Sequence, residues 1–258
     1  MTVIDGAEAI HLDAGPETPA SIVVCHGFTG TPASVRPWAE HMHECGYTVT
    51  APRLPGHGTR WQDLATTRWP DWYGGLERAV DEALARDKPV FAFGHSMGAT
   101  LVLRLAQQRG AELAGIVVCN PSLYDKRLAV RYAVPVIRHF VRSTPGIGSD
   151  IAKPETFETS YPRTPLAAVH SLSRLWKLVR ADLAAITLPI RVFHSAIDHV
   201  VDIGNAQLLL SGIRSTDVRD HILPRSYHVA PLDFDAELLC TKSAEFVAER
   251  LKAPQGTT

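Results

Sequence analysis

Six short apolar runs rich in β-branched residues, SIVVC (21–25), YTVTA (47–51), PVFAFG (89–94), GIVVCN (115–120), IRVFHS (190–195) and VRDHIL (218–223), alternate with longer stretches of helical character. Strands as apolar as most of these need cover on both faces, and connections long enough to hold a helix let neighbouring strands run parallel. The pattern predicts an α/β fold with a mostly parallel sheet and helices on both faces. At 258 residues and 45% hydrophobic content, the chain can bury the core of one such domain over 1–258.

The helical stretches carry their own signals. TPASVRPWAEHMHECG opens with Thr31-Pro32 and ends at Gly46. WPDWYGGLERAVDEALARD places Leu76, Ala79, Val80, Ala83 and Leu84 on one face, although Gly74-Gly75 weakens its start. Asp202 is expected to cap IGNAQLLLSGI, and DFDAELLCTKSAEFVAERL closes the domain. From Pro121 to about Asp182 the alternation fails and no clear strand is legible, so this segment is expected to be an insertion over one edge of the sheet.

Several classes are excluded by composition. The 26 basic and 27 acidic residues leave a formal net charge of −1, which gives no broad field to gather nucleic acid, so the expected partner is a small molecule. Cys25, Cys45, Cys119 and Cys240 form no CxxC pair and are read as reduced core thiols, with neither a disulfide framework nor a zinc site. No stretch has the pattern of a signal peptide or the length of an apolar span, and a cytoplasmic protein is expected.

Gly94-His95-Ser96-Met97-Gly98 fits G-x-S-x-G, between the strand PVFAFG and the helix MGATLVLRLAQQ. So tight a strand-to-helix turn strains its apex and leaves no room for bulk at 94 and 98, while lifting the Ser96 hydroxyl above the sheet. A hydroxyl needs a base, and the base an orienting acid. SYHVAPLDF places His228 after the last strand, and HSAIDHVVD places Asp198 just past IRVFHS. His221 lies within a strand, His199 adjoins the acid, His41 and His43 sit on the polar part of a helix, and Asp202 is better used as a cap. In VVCHGFTGTP, Gly27 lets the backbone bring the Phe28 amide toward an oxyanion, and Met97 supplies the second amide. His57, in RLPGHG (53–58), is read as part of a loop shaped by its Pro and Gly residues.

Together HGFTGTP, RLPGHGT, WPDWYGGLERAVDEAL, GHSMGATL, HSAIDHVV and SYHVAPLD resemble the α/β-hydrolase family over nearly the whole chain, in particular the carboxylesterases and bacterial monoacylglycerol lipases. The insert segment GIGSDIAKPETFETSYPRTPLAAVHSL (146–172) is similar to the short cap of those lipases. The resemblance implies a serine esterase acting on single-chain esters of short to medium length, with Ser96, Asp198 and His228 as triad, Phe28 and Met97 as oxyanion hole, and no metal or cofactor. It leaves thioesters, carbon–carbon bonds and a non-turnover ligand-binding role as rivals. Tyr124, Tyr161 and Pro162 are the cap candidates for substrate contact; a glutamate expected after the cap tyrosine is here Pro162.

Lys126, Arg127, Arg131, Arg138 and Arg142 occur with no acidic residue between them, and on a continuous helix the four arginines would share one face. Such a helix can rest on an anionic lipid surface. Pro135 argues against one unbroken helix, and the expected arrangement is a cap whose apolar side packs on the domain while its arginines face water.

Overall fold

The computed structural model describes residues 2–127 and 129–252, leaving the side chains of Ala129 and Arg131 undescribed. Seven strands form one sheet: β1 (Ile10–Leu12), β2 (Ser21–Cys25), β3 (Thr48–Ala51), β4 (Val90–His95), β5 (Gly115–Cys119), β8 (Ile190–Ser195) and β9 (Val218–Leu223). Their order is β1-β3-β2-β4-β5-β8-β9, with every pair parallel except β1 against β3. All six expected strands are present. β1 was not legible because a three-residue edge strand with one buried side chain carries almost no pattern.

Period-two alternation divides the core between the faces of the sheet. Ile22, Val24, Phe91, Phe93, Val117 and Phe193 pack with Trp38 and Met42 of α1 (Arg36–Glu44) and Leu239 and Phe246 of α8 (Ala236–Lys252). Val23, Ala92, Ile116, Val118 and Val192 pack with α3 (Trp69–Leu84), α4 (Met97–Arg109) and α6 (Leu166–Ala181). The remaining helices are α2 (Trp61–Thr66), α5 (Val134–Ile137) and α7 (Gly204–Gly212).

Local deviations have local causes. The predicted helix from Thr31 begins as a 3-10 turn over Pro32–Val35 and becomes α-helical at Arg36, with Pro37 in its first turn. α3 runs unbroken through Gly74-Gly75; a Cβ at Gly75 would sit 2.9 Å from Pro55 Cδ, so this glycine lets the helix pass close to the 53–58 loop. Asp202 Oδ1 accepts the Gly204 amide at 2.9 Å at the start of α7. Cys25, Cys119 and Cys240 are buried free thiols, but Cys45 is exposed at the end of α1, which corrects its reading as a core residue.

The segment after β5 holds two strands, β6 (Ser143–Pro145) and β7 (Arg163–Pro165), paired antiparallel, followed by the long α6. No strand was expected here; three-residue strands containing proline give no alternation to read. The basic stretch is no continuous helix. A widened turn over Ala129–Ala133 leads into the four-residue α5, with Pro135 in its first turn. Its apolar side packs on the domain only in part: Val134 is buried and Val130 lies against the core, whereas Phe140 is 83% exposed and Val136 61%, with Tyr132, Ile137 and Val141 also exposed. Of the four arginines thought to share a face, Arg127 is tied to Asp125, and the Arg131 side chain lies outside the described residues. No helix among the described residues is long and apolar enough to cross a membrane.

A buried charge stands inside the sheet. Arg191 of β8 is 2% exposed, reaches Asp217 at 2.7 Å and Glu249 at 3.3 Å, and lays its guanidinium 4.2 Å from the Phe246 ring centre. Its partners are partly solvated, so removing the side chain costs chiefly packing against Phe246 rather than an orphaned buried charge. Arg191→Ala is expected to lower stability by about 2–3 kcal/mol in urea unfolding, with the same loss when Glu249 is first replaced by Gln.

Candidate active site

β4 ends at His95 and α4 begins at Met97, leaving Ser96 alone to turn the chain. Its backbone has φ 55° and ψ −117°, in the left-handed region that side chains normally avoid. Two close approaches hold it there, and an ordinary contact borders it. A Cβ on Gly94 would lie 2.5 Å from the Gly98 backbone, one on Gly98 2.1 Å from the Cys25 carbonyl oxygen, and one on Gly27 3.4 Å from Ser96 Cβ. The first turn of α4 is therefore packed against the end of β2, and the loop after β2 passes directly beside the serine.

Asp198 follows β8 and His228 follows β9, and the parallel register of these strands brings both loops to the same end of the sheet as Ser96. His228 Nδ1 donates to Asp198 Oδ2 at 2.8 Å, which leaves Nε2 to accept the Ser96 hydroxyl at 2.9 Å. The other carboxylate oxygen, Oδ1, accepts the Val200 and Val201 amides at 2.8 and 2.7 Å. Burial opposes charge on both groups. The Asp198 carboxyl nonetheless lies below its ordinary range, because the His228 charge and hydrogen bond and those two amides outweigh desolvation. His228 is likewise raised above 6.5: burial pushes it down, but Asp198, then Glu158 and Asp150, more than compensate.

Met97 is the first residue of α4, where an amide has no partner within the helix. Phe28 lies in the loop beside Ser96, its ring packed against Trp72 at 5.6 Å and His57 at 6.3 Å. His57 is wholly buried, touches Trp72 and His26 edge-on, and bonds the Pro55 carbonyl through Nδ1. His26 Nε2 accepts the Leu54 amide at 3.2 Å. The RLPGHG loop thus braces the HGF loop.

The cap candidates fall elsewhere. Tyr161 is buried, and its hydroxyl accepts the Thr59 amide at 2.9 Å and donates to the Gly56 carbonyl at 2.8 Å, which fastens the insert to the 56–59 loop. Tyr124 donates to Asp202 Oδ1 at 3.2 Å beside α7. Pro162 is exposed, and its carbonyl accepts the Gly146 amide at 2.8 Å. None of the three offers a free polar tip to Ser96. The carboxyl in this region belongs to Glu158, which sequence reasoning missed. A Cβ on Gly30 would meet Glu158 Oε1 at 2.7 Å, so the carboxyl end is turned in against the loop that carries Phe28. Burial pushes its pKa up to about 7, against the opposing pull of the His228 charge and the Ser34 hydroxyl.

Also missed were three residues at strand ends that hold the histidine loop. Asn120 Nδ2 donates to the His228 carbonyl at 2.7 Å, and the Ser195 hydroxyl donates to the Tyr227 carbonyl at 2.7 Å. His95 Nε2 donates to the His228 carbonyl at 2.8 Å; burial and then the His228 charge depress His95 to about 3, so it stays neutral. Their signal was available: each sits at the carboxyl end of a parallel strand, where such sheets assemble their sites.

Residues 16–235 match the family described as Serine aminopeptidase, S33. Two relatives are a thermostable monoacylglycerol lipase of Bacillus sp. (strain H-257), 38% identical over 247 residues and 96% of each chain, and a carboxylesterase of Bacillus subtilis (strain 168), 26% identical over 88% of this chain and 92% of that one. Among solved structures, a metagenome-derived lipolytic enzyme of the LipS and LipT pair superposes with a TM-score of 0.92 at 34% identity, over 96% of this chain and 100% of that one.

Because His228 must be neutral to accept a proton and its pKa is raised, ester turnover should climb with pH through a midpoint above 6.5, the ordinary histidine value. Asp198→Asn removes the largest stabiliser of the imidazolium and should move that limb to lower pH while reducing kcat by about 10⁴-fold. The kcat/KM profile from pH 5 to 9 measures both.

Proposed function

The chain belongs to the serine aminopeptidase S33 family of α/β-hydrolases, and from that membership and the geometry around Ser96 we propose that it is a serine hydrolase of carboxylic esters of the monoacylglycerol lipase type. The hydrogen-bonded line Ser96, His228, Asp198 carries the reading. As Ser96 Oγ attacks the ester carbonyl, its proton passes to His228 Nε2 and Asp198 steadies the imidazolium. The oxyanion is held by the Phe28 and Met97 amides, and each such donor is worth about 3 kcal/mol of barrier. Collapse breaks the carbon–oxygen bond, the alcohol leaves with the proton from His228, and water activated by the same imidazole releases the acid and restores Ser96. The chain acts as one domain, with the segment 121–182 as its cap.

Glu158 supports an alcohol half rich in hydroxyls. A shielded carboxyl beside the oxyanion loop can accept or donate hydrogen bonds to a glycerol head group, a task the resemblance assigned to the position now held by Pro162. The free cysteines suit a reducing compartment, and we place the protein in the cytoplasm. The exposed Val136, Ile137, Phe140 and Val141, interleaved with Arg138 and Arg142, favour contact of the cap with an anionic lipid surface.

Ser96→Ala should abolish hydrolysis of p-nitrophenyl butyrate and labelling by a fluorophosphonate; retained turnover overturns the nucleophile. In a panel of monoacylglycerols, p-nitrophenyl esters and acyl thioesters of graded length, Glu158→Gln should raise KM for monoacylglycerols about 10-fold and leave p-nitrophenyl esters nearly unchanged, the loss of one charge-assisted hydrogen bond. For the surface, co-sedimentation should be stronger with phosphatidylglycerol than with phosphatidylcholine vesicles and weakened in Arg138→Glu/Phe140→Ser. Equal recovery in all cases rules it out.

A further inference from the structure

Asp150, a residue of the insert, reaches both loops that carry the charged members of the triad. Its Oδ2 accepts the backbone amide of His228 at 3.2 Å and that of His199, the neighbour of Asp198, at 3.1 Å. Its Oδ1 pairs with His199 Nδ1 at 2.8 Å, and its own carbonyl accepts the Val229 amide at 3.0 Å. The His199 ring stands edge-on to Tyr227, 4.7 Å between centres, and so closes the same knot from the acid side. The next residues continue the attachment: Asp233 takes the Ala152 amide at 2.7 Å and the Lys153 amide at 2.9 Å, and also the Tyr227 amide at 2.8 Å.

Asn120, Ser195 and His95 tie the histidine loop to strand ends through the carbonyls of Tyr227 and His228, but these bonds do not reach the loop of Asp198. Asp198 lies three residues beyond β8 and His228 five beyond β9, and over that reach a loop can shift by more than a hydrogen bond tolerates. A single carboxylate accepting amides from both loops sets their separation. The Asp198–His228 bond spans the same gap, so its length depends on that separation. Because Asp150 enters from the insert, the setting holds only while the insert is seated.

Accepting the triad above as the catalytic machinery, we propose that Asp150 is a positioning residue through which the seating of the cap governs the alignment of His228 with Asp198 and Ser96. It touches no reacting atom and acts through the two loops and through its charge. His228 is surrounded by four titratable side chains, Asp198, Glu158, Asp150 and His95, with His199 beyond Asp150. Asp150 is one of the carboxyls that favour the imidazolium, so removing it moves the acid limb of the activity profile to lower pH.

The test compares wild type, Asp150→Asn, Asp150→Glu and His199→Phe on a water-soluble short-chain ester, with the folded fraction counted by the fluorophosphonate burst. Asp150→Asn should lower kcat roughly 10- to 100-fold, the scale of a misplacement near 1 Å, with KM little changed, labelling slowed in proportion and the acid limb shifted down. Asp150→Glu should restore the limb and part of kcat. His199→Phe, which keeps Asp150 and its bond to the His228 amide, should lose less activity and leave the limb in place. An Asp150→Asn enzyme that is less stable but unchanged in kcat, labelling rate and acid limb overturns the proposal, as does a His199→Phe enzyme as impaired as Asp150→Asn. Ser96→Ala keeps the two readings apart: an active Ser96→Ala defeats the triad itself, whereas an inactive one beside an unaffected Asp150→Asn defeats only the role of Asp150.

Discussion

The contact between the start of α4 and the end of β2 is the constraint from which the site is built. Gly98 lies so close to the Cys25 carbonyl that no side chain fits, and Gly94 is as close to Gly98. This packing holds Ser96 at positive φ, a conformation that costs of order 1–3 kcal/mol and persists only when its surroundings over-determine it. Those surroundings are the buried strands β2 and β4 and the helix faces on them, where Val23, Ala92, Leu101 and Val102 are fully buried. The strain thus draws on core packing, and its product is a hydroxyl that points at His228 rather than into the helix.

Around that fixed serine the remaining groups are held with graded rigidity. The HGF loop is pinned by His26, His57 and Trp72, an aromatic group without solvent access. The histidine loop hangs on Asn120, Ser195 and His95 at the ends of three neighbouring strands. The acid loop has fewer ties to the sheet, and much of its placement comes from Asp150 in the insert. Electrostatics follow the same gradation: the buried His95 is kept neutral, while His228 is kept ready to hold a proton chiefly by Asp198.

The insert therefore does more than cover. Tyr161 fastens one part to the 56–59 loop, Asp150 and Asp233 fasten another to the histidine loop, and Glu158 brings a carboxyl next to the loop that carries Phe28. Its outer side keeps Phe140 and Val136 in water, which a segment serving only as packing would bury.

The layered sheet, Ser96 at its turn and the placing of Asp198 and His228 in the loops after β8 and β9 were legible in the sequence because each follows from local rules. Strand runs such as SIVVC, a strand–turn–helix step between glycines, and polar residues just past strand ends all lie within a few neighbouring positions. Where those rules had no purchase, reading failed. The β6–β7 hairpin has too few residues to alternate, and Glu158 was not singled out because nothing in the sequence shows which cap side chain turns toward the site. Asp150 and His228 are separated by 78 residues, Tyr161 and Gly56 by 105. The sequence by itself determined the sheet, the strained serine and the kinds of groups that could serve it. Tertiary structure alone decided which carboxyls reach the site, since a bond between distant segments depends on how the whole insert settles on the sheet.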